Sequence, residues 1–124
     1  MISGAIFAAL AVILGAFGAH ALKAILDPGQ LATFETGVKY QFYHSIALLA
    51  TGLAYHILPA KAFKKASASF IAGIIMFSGS LYLLTLLKLG GDVGLKGLGI
   101  ITPIGGVFFI LGWIFFLTGC LQKK

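Results

Sequence analysis

The chain has 124 residues, of which 60% are hydrophobic and only 10% are charged, with a net charge of +6 and a mean hydropathy of +1.06. These values exclude a water-soluble globular domain, because three acidic and nine basic residues are too few to cover its surface. At about 20 apolar residues per span, the length allows four transmembrane helices and no separate soluble domain. Residues 1–124 are therefore expected to form a single transmembrane domain.

The first apolar segment, residues 2–22, is long enough to cross the hydrocarbon core. His20, close to its end, is its one ionisable side chain. No Lys or Arg precedes the segment, and it is longer than the apolar region of a signal peptide. We therefore expect a retained span.

A second helix is predicted to start near residue 28. Asp27 suits the N-cap position, Pro28 the first helical position, and Gln30 a return hydrogen bond to the cap. The first three turns carry apolar and polar residues on different sides, which predicts an amphipathic extension at the membrane interface. The apolar part follows over residues 42–58 and ends at Pro59.

Two further spans are predicted over residues 67–89 and 102–121. A short lysine-bearing connection precedes the third span, so helices two and three should be antiparallel neighbours. Residues 90–99 are rich in glycine and are predicted to form a flexible loop. Thr102 as N-cap and Pro103 as first helical residue predict the start of the last span. The predicted fold class is all-α, an antiparallel four-helix bundle integral to the membrane.

Orientation depends on lysine alone, because arginine is absent and acidic residues contribute little to the positive-inside rule. The end with both termini carries Lys61, Lys64, Lys65, Lys123 and Lys124, and the other end carries Lys23, Lys39, Lys88 and Lys96. All three acidic residues are predicted at the second end, so the first end is purely basic and favours cytoplasmic termini. A basic patch with interleaved exposed aromatics is missing, which argues against nucleic acid as a partner.

Small residues recur at three-, four- and seven-residue steps in the first and last spans. The positions are Gly4, Ala8, Ala11, Gly15, Gly18, Gly105, Gly112 and Gly119. Small residues let helix backbones approach one another, which promotes association where lipid removes the hydrophobic effect. These stripes predict close packing within the bundle or, on another face, an oligomer interface.

Most polar side chains of the predicted spans converge on one membrane face, because antiparallel helices bring alternate helix ends together. This polar cluster consists of His20, Tyr40, Gln41, His44, Ser45, Ser78, Ser80, Tyr82 and Thr102. Polar groups at membrane depth are costly unless hydrogen-bonded, and ionisable ones are candidates for function. The cluster is either a set of hydrogen bonds that fixes helix packing or a site that handles a ligand or protons.

Several chemistries are disfavoured by the residues alone. His44 and His56 lie about 18 Å apart along one helix at 1.5 Å per residue, so they cannot share a metal. The only cysteine, Cys120, is predicted at the opposite membrane face from the polar cluster. No span carries a mid-membrane carboxylate, and no nucleophile motif is present. We expect no metal, no cofactor and no enzymatic activity.

Four blocks of the sequence resemble the signature of a known family. They are residues 15–20, the Tyr40-Gln41-x-x-His44 pattern, residues 77–82, and residues 102–106 followed by Gly112-Trp113. These blocks look like those of the domain-of-unknown-function 423 family, also described as transmembrane protein 256-like. The resemblance implies a small four-span protein of the bacterial plasma (inner) membrane, without an established activity or catalytic residues to carry over.

Two functions remain open, and a membrane enzyme is a distant third because the acidic residues Asp27, Glu35 and Asp92 are predicted to lie in loops or interfacial turns. The first is a non-enzymatic packing or accessory protein that oligomerises as a scaffold or docks on a larger membrane complex, which the small-residue stripes favour. The second is an oligomeric protein that handles a small molecule, an ion or protons through the polar cluster at the outer leaflet. The predicted partners are the lipid bilayer and either further copies of the chain or a larger membrane complex.

Overall fold

The computed structural model describes residues 1–89 and 97–122, and every regular element in these two ranges is a helix. The α-helices are α1 Ile2–His20, α2 Pro28–Ile57, α3 Lys61–Gly73, α4 Gly79–Leu89 and α5 Leu98–Leu121. A 3-10 turn, Leu22–Ala24, follows α1. A π-helical segment, Ile74–Ser78, joins α3 directly to α4.

Three helical stretches of the described chain are long and apolar enough to cross a membrane. They are Ile2–Ala24, Lys61–Leu89 and Leu98–Leu121. The 30-residue helix α2 is also long enough, but its middle carries polar side chains that include Gln41 and His44. Helix α2, which holds much of the polar cluster, is therefore not among the helices apolar enough to be candidate spans.

Helices α1 and α2 lie side by side with opposite chain directions. Gly4, near the start of α1, lies against Leu48, and Gly18, near its end, lies against Phe34. Because these contacts join the early part of one helix to the late part of the other, α1 follows α2 over most of its own length.

The start of α2 has the capping box that the sequence predicts. The Gln30 backbone N–H donates to Asp27 Oδ1 at 2.8 Å, and the Asp27 backbone N–H donates to Gln30 Oε1 at 3.2 Å. The first turns are two-sided, since Phe34 is buried whereas Glu35 and Lys39 are exposed. The amphipathic turns are continuous with the rest of α2 and pack against α1 through Phe34.

The stretch from α3 to the π segment packs on α5 through three phenylalanines, each of which lies against a glycine of α5. The pairs are Phe63 with Gly119, Phe70 with Gly112, and Phe77 with Gly105. A Cβ added at Gly112 would lie 2.5 Å from the Phe70 ring, and one at Gly119 would lie 2.7 Å from the Phe63 ring. The phenylalanines and the glycines each recur every seven residues, and they pair in opposite chain order, so the two stretches are antiparallel. Each phenylalanine ring lies where the glycine has no side chain.

Helix α3 begins at Lys61, earlier than the start expected near residue 67. The side chains of Ala62, Phe63 and Ala66 are buried, whereas the lysines of this stretch are exposed. Burial at helical spacing explains the early start, because these turns already pack against neighbouring helices.

Helix α5 begins at Leu98, so Thr102 is not its N-cap and Pro103 lies inside the helix. Pro103 is the sixth residue of α5, so it lacks the backbone N–H that a helix would pair with the carbonyl of Gly99. The Thr102 hydroxyl bonds to the Ser80 hydroxyl at 2.6 Å instead of capping α5. Thr102, which local sequence rules assign to the N-cap, thus forms a tertiary hydrogen bond instead.

Part of the sequence-based prediction lies outside the described residues. The flexible loop was expected over residues 90–99, of which 90–96 are not described. The same holds for three of the lysines used for orientation, Lys96, Lys123 and Lys124.

Gly105→Ala should destabilise the protein, whereas Gly106→Ala should not. A Cβ at Gly105 would overlap the backbone of Phe77, but one at Gly106 would lie 3.9 Å from its nearest neighbour, the Phe77 ring. We expect Gly105→Ala to lower the free energy of unfolding by about 1–3 kcal/mol, and Gly106→Ala to change it by less than about 0.5 kcal/mol. Unfolding in mixed detergent micelles, followed by circular dichroism, measures both. Equal stabilities would contradict the close approach of α5 to Phe77.

Candidate functional site

Gln41 is the residue at which three helices are hydrogen-bonded together. Its side chain is 3% exposed. Its Nε2 donates to the Phe7 carbonyl of α1 at 2.9 Å, and its Oε1 accepts from the Tyr82 hydroxyl of α4 at 2.7 Å. The Ser45 hydroxyl donates to the Gln41 backbone carbonyl at 2.5 Å. Both polar ends of the amide are engaged, so Gln41 ties α2 to α1 and to α4.

Two serines attach the region of the π segment to its neighbours. The Ser78 hydroxyl donates to the Gly37 carbonyl of α2 at 2.7 Å. The Ser80 hydroxyl donates to the Phe77 carbonyl at 2.8 Å and also bonds to the Thr102 hydroxyl of α5. Because Ser80 has only one hydroxyl proton, Thr102 is the donor in that second bond. The region of the π segment is therefore hydrogen-bonded to α2 through Ser78 and to α5 through Ser80.

His44 lies between α2 and α5 and is only 6% exposed. Its Nδ1 bonds to the Tyr40 carbonyl at 2.8 Å, and since a carbonyl only accepts, Nδ1 carries the proton. Its Nε2 then accepts from the Trp113 indole N–H at 3.3 Å. The ring stacks on Phe109 with centroids 3.5 Å apart and an angle of 8° between the planes. Both ring nitrogens of this tautomer are used within the protein.

A cleft of about 530 Å³ lies beside His44, between α2 and α5. It is lined by Tyr40, His44, Phe77, Pro103, Gly106, Val107, Phe109, Ile110 and Trp113. Val107, Ile110 and Trp113 are also exposed on the outer surface of α5. The cleft therefore opens sideways, away from the centre of the molecule, and its walls are mostly aromatic and aliphatic.

The structure brings together most, but not all, of the polar cluster. Four bonded groups contain eight of its nine members: Gln41 with Ser45 and Tyr82, His44 with the carbonyl of Tyr40, Ser80 with Thr102, and Ser78 with the carbonyl of Gly37. His20 is separate, exposed, and bonded through Nδ1 to the Ala16 carbonyl of its own helix at 2.9 Å. The α1–α2 contacts place His20 opposite about residue 32, roughly 18 Å along α2 from His44 at 1.5 Å per residue. The two histidines therefore do not meet.

The residues that contact the polar cluster but were not among the predicted site residues include Phe109, Trp113 and Gly37. Phe109 stacks on His44, Trp113 donates to it, and Gly37 accepts the Ser78 hydrogen bond. A signal for the first two was available, because residues four apart lie on one helix face and Trp113 is the only tryptophan. No local pattern marks Gly37, since its role depends on a residue far along the chain.

Within residues 1–89 and 97–122, every buried side-chain nitrogen and oxygen has a hydrogen-bond partner. In the same ranges, no three His, Cys, Asp or Glu side chains lie close enough together to hold a metal ion. The buried polar groups of the described chain are thus used for contacts between and within helices.

Comparison with known proteins gives a consistent family match. The model of a family described as "Protein of unknown function (DUF423)" matches residues 14–106. The chain is 44% identical to a UPF0382 membrane protein of Staphylococcus aureus, over 98% of this chain and 94% of the relative. It is 40% identical to the UPF0382 membrane protein YwdK of Bacillus subtilis, over 98% and 95%. It is 37% identical to the UPF0382 inner membrane protein YgdD of Escherichia coli K12, over 99% and 86%. No solved structure matches significantly.

Gln41 and Tyr82 should be energetically coupled. We expect Gln41→Leu and Tyr82→Phe each to lower the free energy of unfolding by about 0.5–2 kcal/mol, the range for hydrogen bonds between membrane helices. The double variant should lose less than the sum, because both single variants remove the same bond. Tyr43→Phe is the matched control, since Tyr43 is exposed on the same helix. Unfolding in mixed micelles measures all four variants, and strict additivity would contradict the bond.

Proposed function

The chain belongs to the DUF423 family of membrane proteins, and from this premise we propose that it is an antiparallel four-helix bundle with a non-enzymatic role. In this role it is an accessory or oligomeric scaffold component of the bacterial plasma membrane. The observation that carries the proposal is that every buried side-chain nitrogen and oxygen in the described ranges is hydrogen-bonded within the protein. Side chains engaged in this way fix helix packing and are not free to perform chemistry.

Helix α2 provides the fourth span in this proposal. Met1 lies against Gly52, and Gly18 lies against Phe34, so α2 accompanies an apolar span from one end to the other. A helix that follows a span over this length crosses the same hydrocarbon. Its buried polar side chains are compatible with that position, because Gln41 and His44 bond to neighbouring helices. Ser45 and Thr51 bond to carbonyls within α2.

The small-residue stripes pack within the chain, which bears on where a partner can bind. Their buried members are Gly4, Ala11 and Gly18 in α1 and Gly105, Gly112 and Gly119 in α5. A scaffold contact must therefore use the outward faces of these helices, where Phe17 and Leu117 are among the exposed apolar residues. This is a different surface from the one expected from the stripes themselves.

The proposed orientation has both termini in the cytoplasm. Contacts between Phe63 and Gly119 place the start of α3 beside the end of α5. Among the described residues, the exposed lysines at this end are Lys61, Lys64 and Lys65. Lysines at a membrane surface favour the cytoplasmic side and its anionic lipids.

A second candidate function is the handling of a small molecule, an ion or protons. One observation favours it, because His44 is an ionisable residue buried within a proposed span and beside a cleft. Two observations weigh against it: His20 lies apart, and both ring nitrogens of His44 are already hydrogen-bonded. The accessory or scaffold role therefore has the better support.

Extraction of the protein with its surrounding lipid into polymer nanodiscs, followed by mass measurement, tests the scaffold role. We expect a particle that contains two or more copies of the 13.0-kDa chain, or one copy together with a larger partner. A monomeric membrane protein of similar size, extracted in the same way, controls for accidental co-capture. A uniform population of single 13.0-kDa chains without partners would contradict the role.

A further inference from the structure

The cleft between α2 and α5 is not filled by the contacts that hold the helices together. Along α5 it extends from Pro103 to Trp113, which is about 15 Å at 1.5 Å per residue. The hydrocarbon core of a bilayer is about 30 Å thick. Trp113 lies about 5 Å beyond the middle of Leu98–Leu121 at 1.5 Å per residue, so the cleft begins in the first half of the helix and ends just past its centre.

The inner wall of the cleft is suited to an apolar occupant. The His44 ring nitrogens bond to Tyr40 and Trp113, and the indole N–H of Trp113 is the donor in the second of these bonds. The remaining lining is mainly aromatic and aliphatic. A molecule in this cleft is therefore bound by shape and apolar contact rather than by charge.

Two features leave the cleft accessible from the lipid. Val107 and Ile110 on its rim are 54% and 61% exposed, so its mouth faces the surrounding hydrocarbon. Gly106 in its wall has no side chain, and an added Cβ would still lie 3.9 Å from the nearest atom, in the Phe77 ring. A side chain added at Gly106 would therefore meet only the Phe77 ring, at an ordinary contact distance.

We propose that this cleft binds one acyl chain of a phospholipid. The chain comes from the leaflet at the N-terminal end of α5, lies along Gly106 and Val107, and ends beside Trp113. Its length suits a cleft of about 15 Å, half the thickness of the hydrocarbon core. Its chemistry suits walls with no free ring nitrogen. The binding site is independent of the scaffold role, because it is formed within a single chain.

Trp113 makes the proposal directly testable, because it is the only tryptophan and it lines the cleft. The protein is purified in detergent, stripped of lipid, and mixed with near-stoichiometric phosphatidylglycerol brominated near the end of its acyl chains. In excess detergent, random contact with lipid is rare, so only a held chain quenches tryptophan fluorescence. Native mass spectrometry of the same sample counts the phospholipids retained per chain.

We compare the wild type with Gly106→Leu, which fills the cleft, and with Gly99→Leu, the same change where no atom lies within 4 Å of an added Cβ. The wild type and Gly99→Leu should retain one phospholipid, and Gly106→Leu should lose at least three-quarters of the quenching. Val107→Phe, which narrows the exposed mouth, gives a second measurement if Gly106→Leu does not fold.

Equal quenching and retention in all variants would overturn the proposal. So would quenching by a short-chain quinone that brominated phospholipid cannot displace, since the occupant would then be a ring compound.

Discussion

A helix that carries glutamine and histidine across a bilayer needs protein partners for them, because hydrocarbon has no hydrogen-bonding groups. In the proposed bundle that helix is α2. The partners come from three directions, with the Phe7 carbonyl in α1, the Tyr82 hydroxyl in α4 and the Trp113 indole in α5. The proposed bundle depends on this requirement, since the other helices must surround α2 closely enough to reach its polar side chains.

Glycine is what permits that close approach. Gly4 admits Leu48 of α2, Gly37 admits the Tyr82 ring, and the three buried glycines of α5 admit phenylalanine rings. The same packing brings Phe109 and Trp113 of α5 to His44, although α5 is held mainly by α3 and the π segment. Between the residues that do touch, α2 and α5 leave the cleft that we assign to an acyl chain. Packing and polar contacts thus account together for both the proposed bundle and the cleft between α2 and α5.

Local signals were predictable from the sequence and long-range ones were not. The capping box at Asp27 follows from rules that involve only adjacent residues, and it is present. Those rules failed at Pro103, because the Thr102 hydroxyl is drawn into a bond with Ser80. The π segment and the pairing of His44 with Trp113 depend on residues far apart in the chain, which a helical period cannot register. The seven-residue phenylalanine repeat opposite the glycines was visible, but only the structure reveals that the two repeats face each other.

The most direct test of this account is the sidedness of the two chain ends, because it decides whether α2 crosses the membrane. Cys120 is the only cysteine and is exposed near the end of α5. A second reporter, Ile2→Cys in a Cys120→Ser background, marks the start of α1 at an exposed position. A membrane-impermeant maleimide is applied to right-side-out and inverted vesicles of each protein. Four spans predict that both cysteines are labelled from the same side, and the proposed orientation makes this the cytoplasmic side. Labelling from opposite sides would mean that α2 does not cross, and would contradict the account.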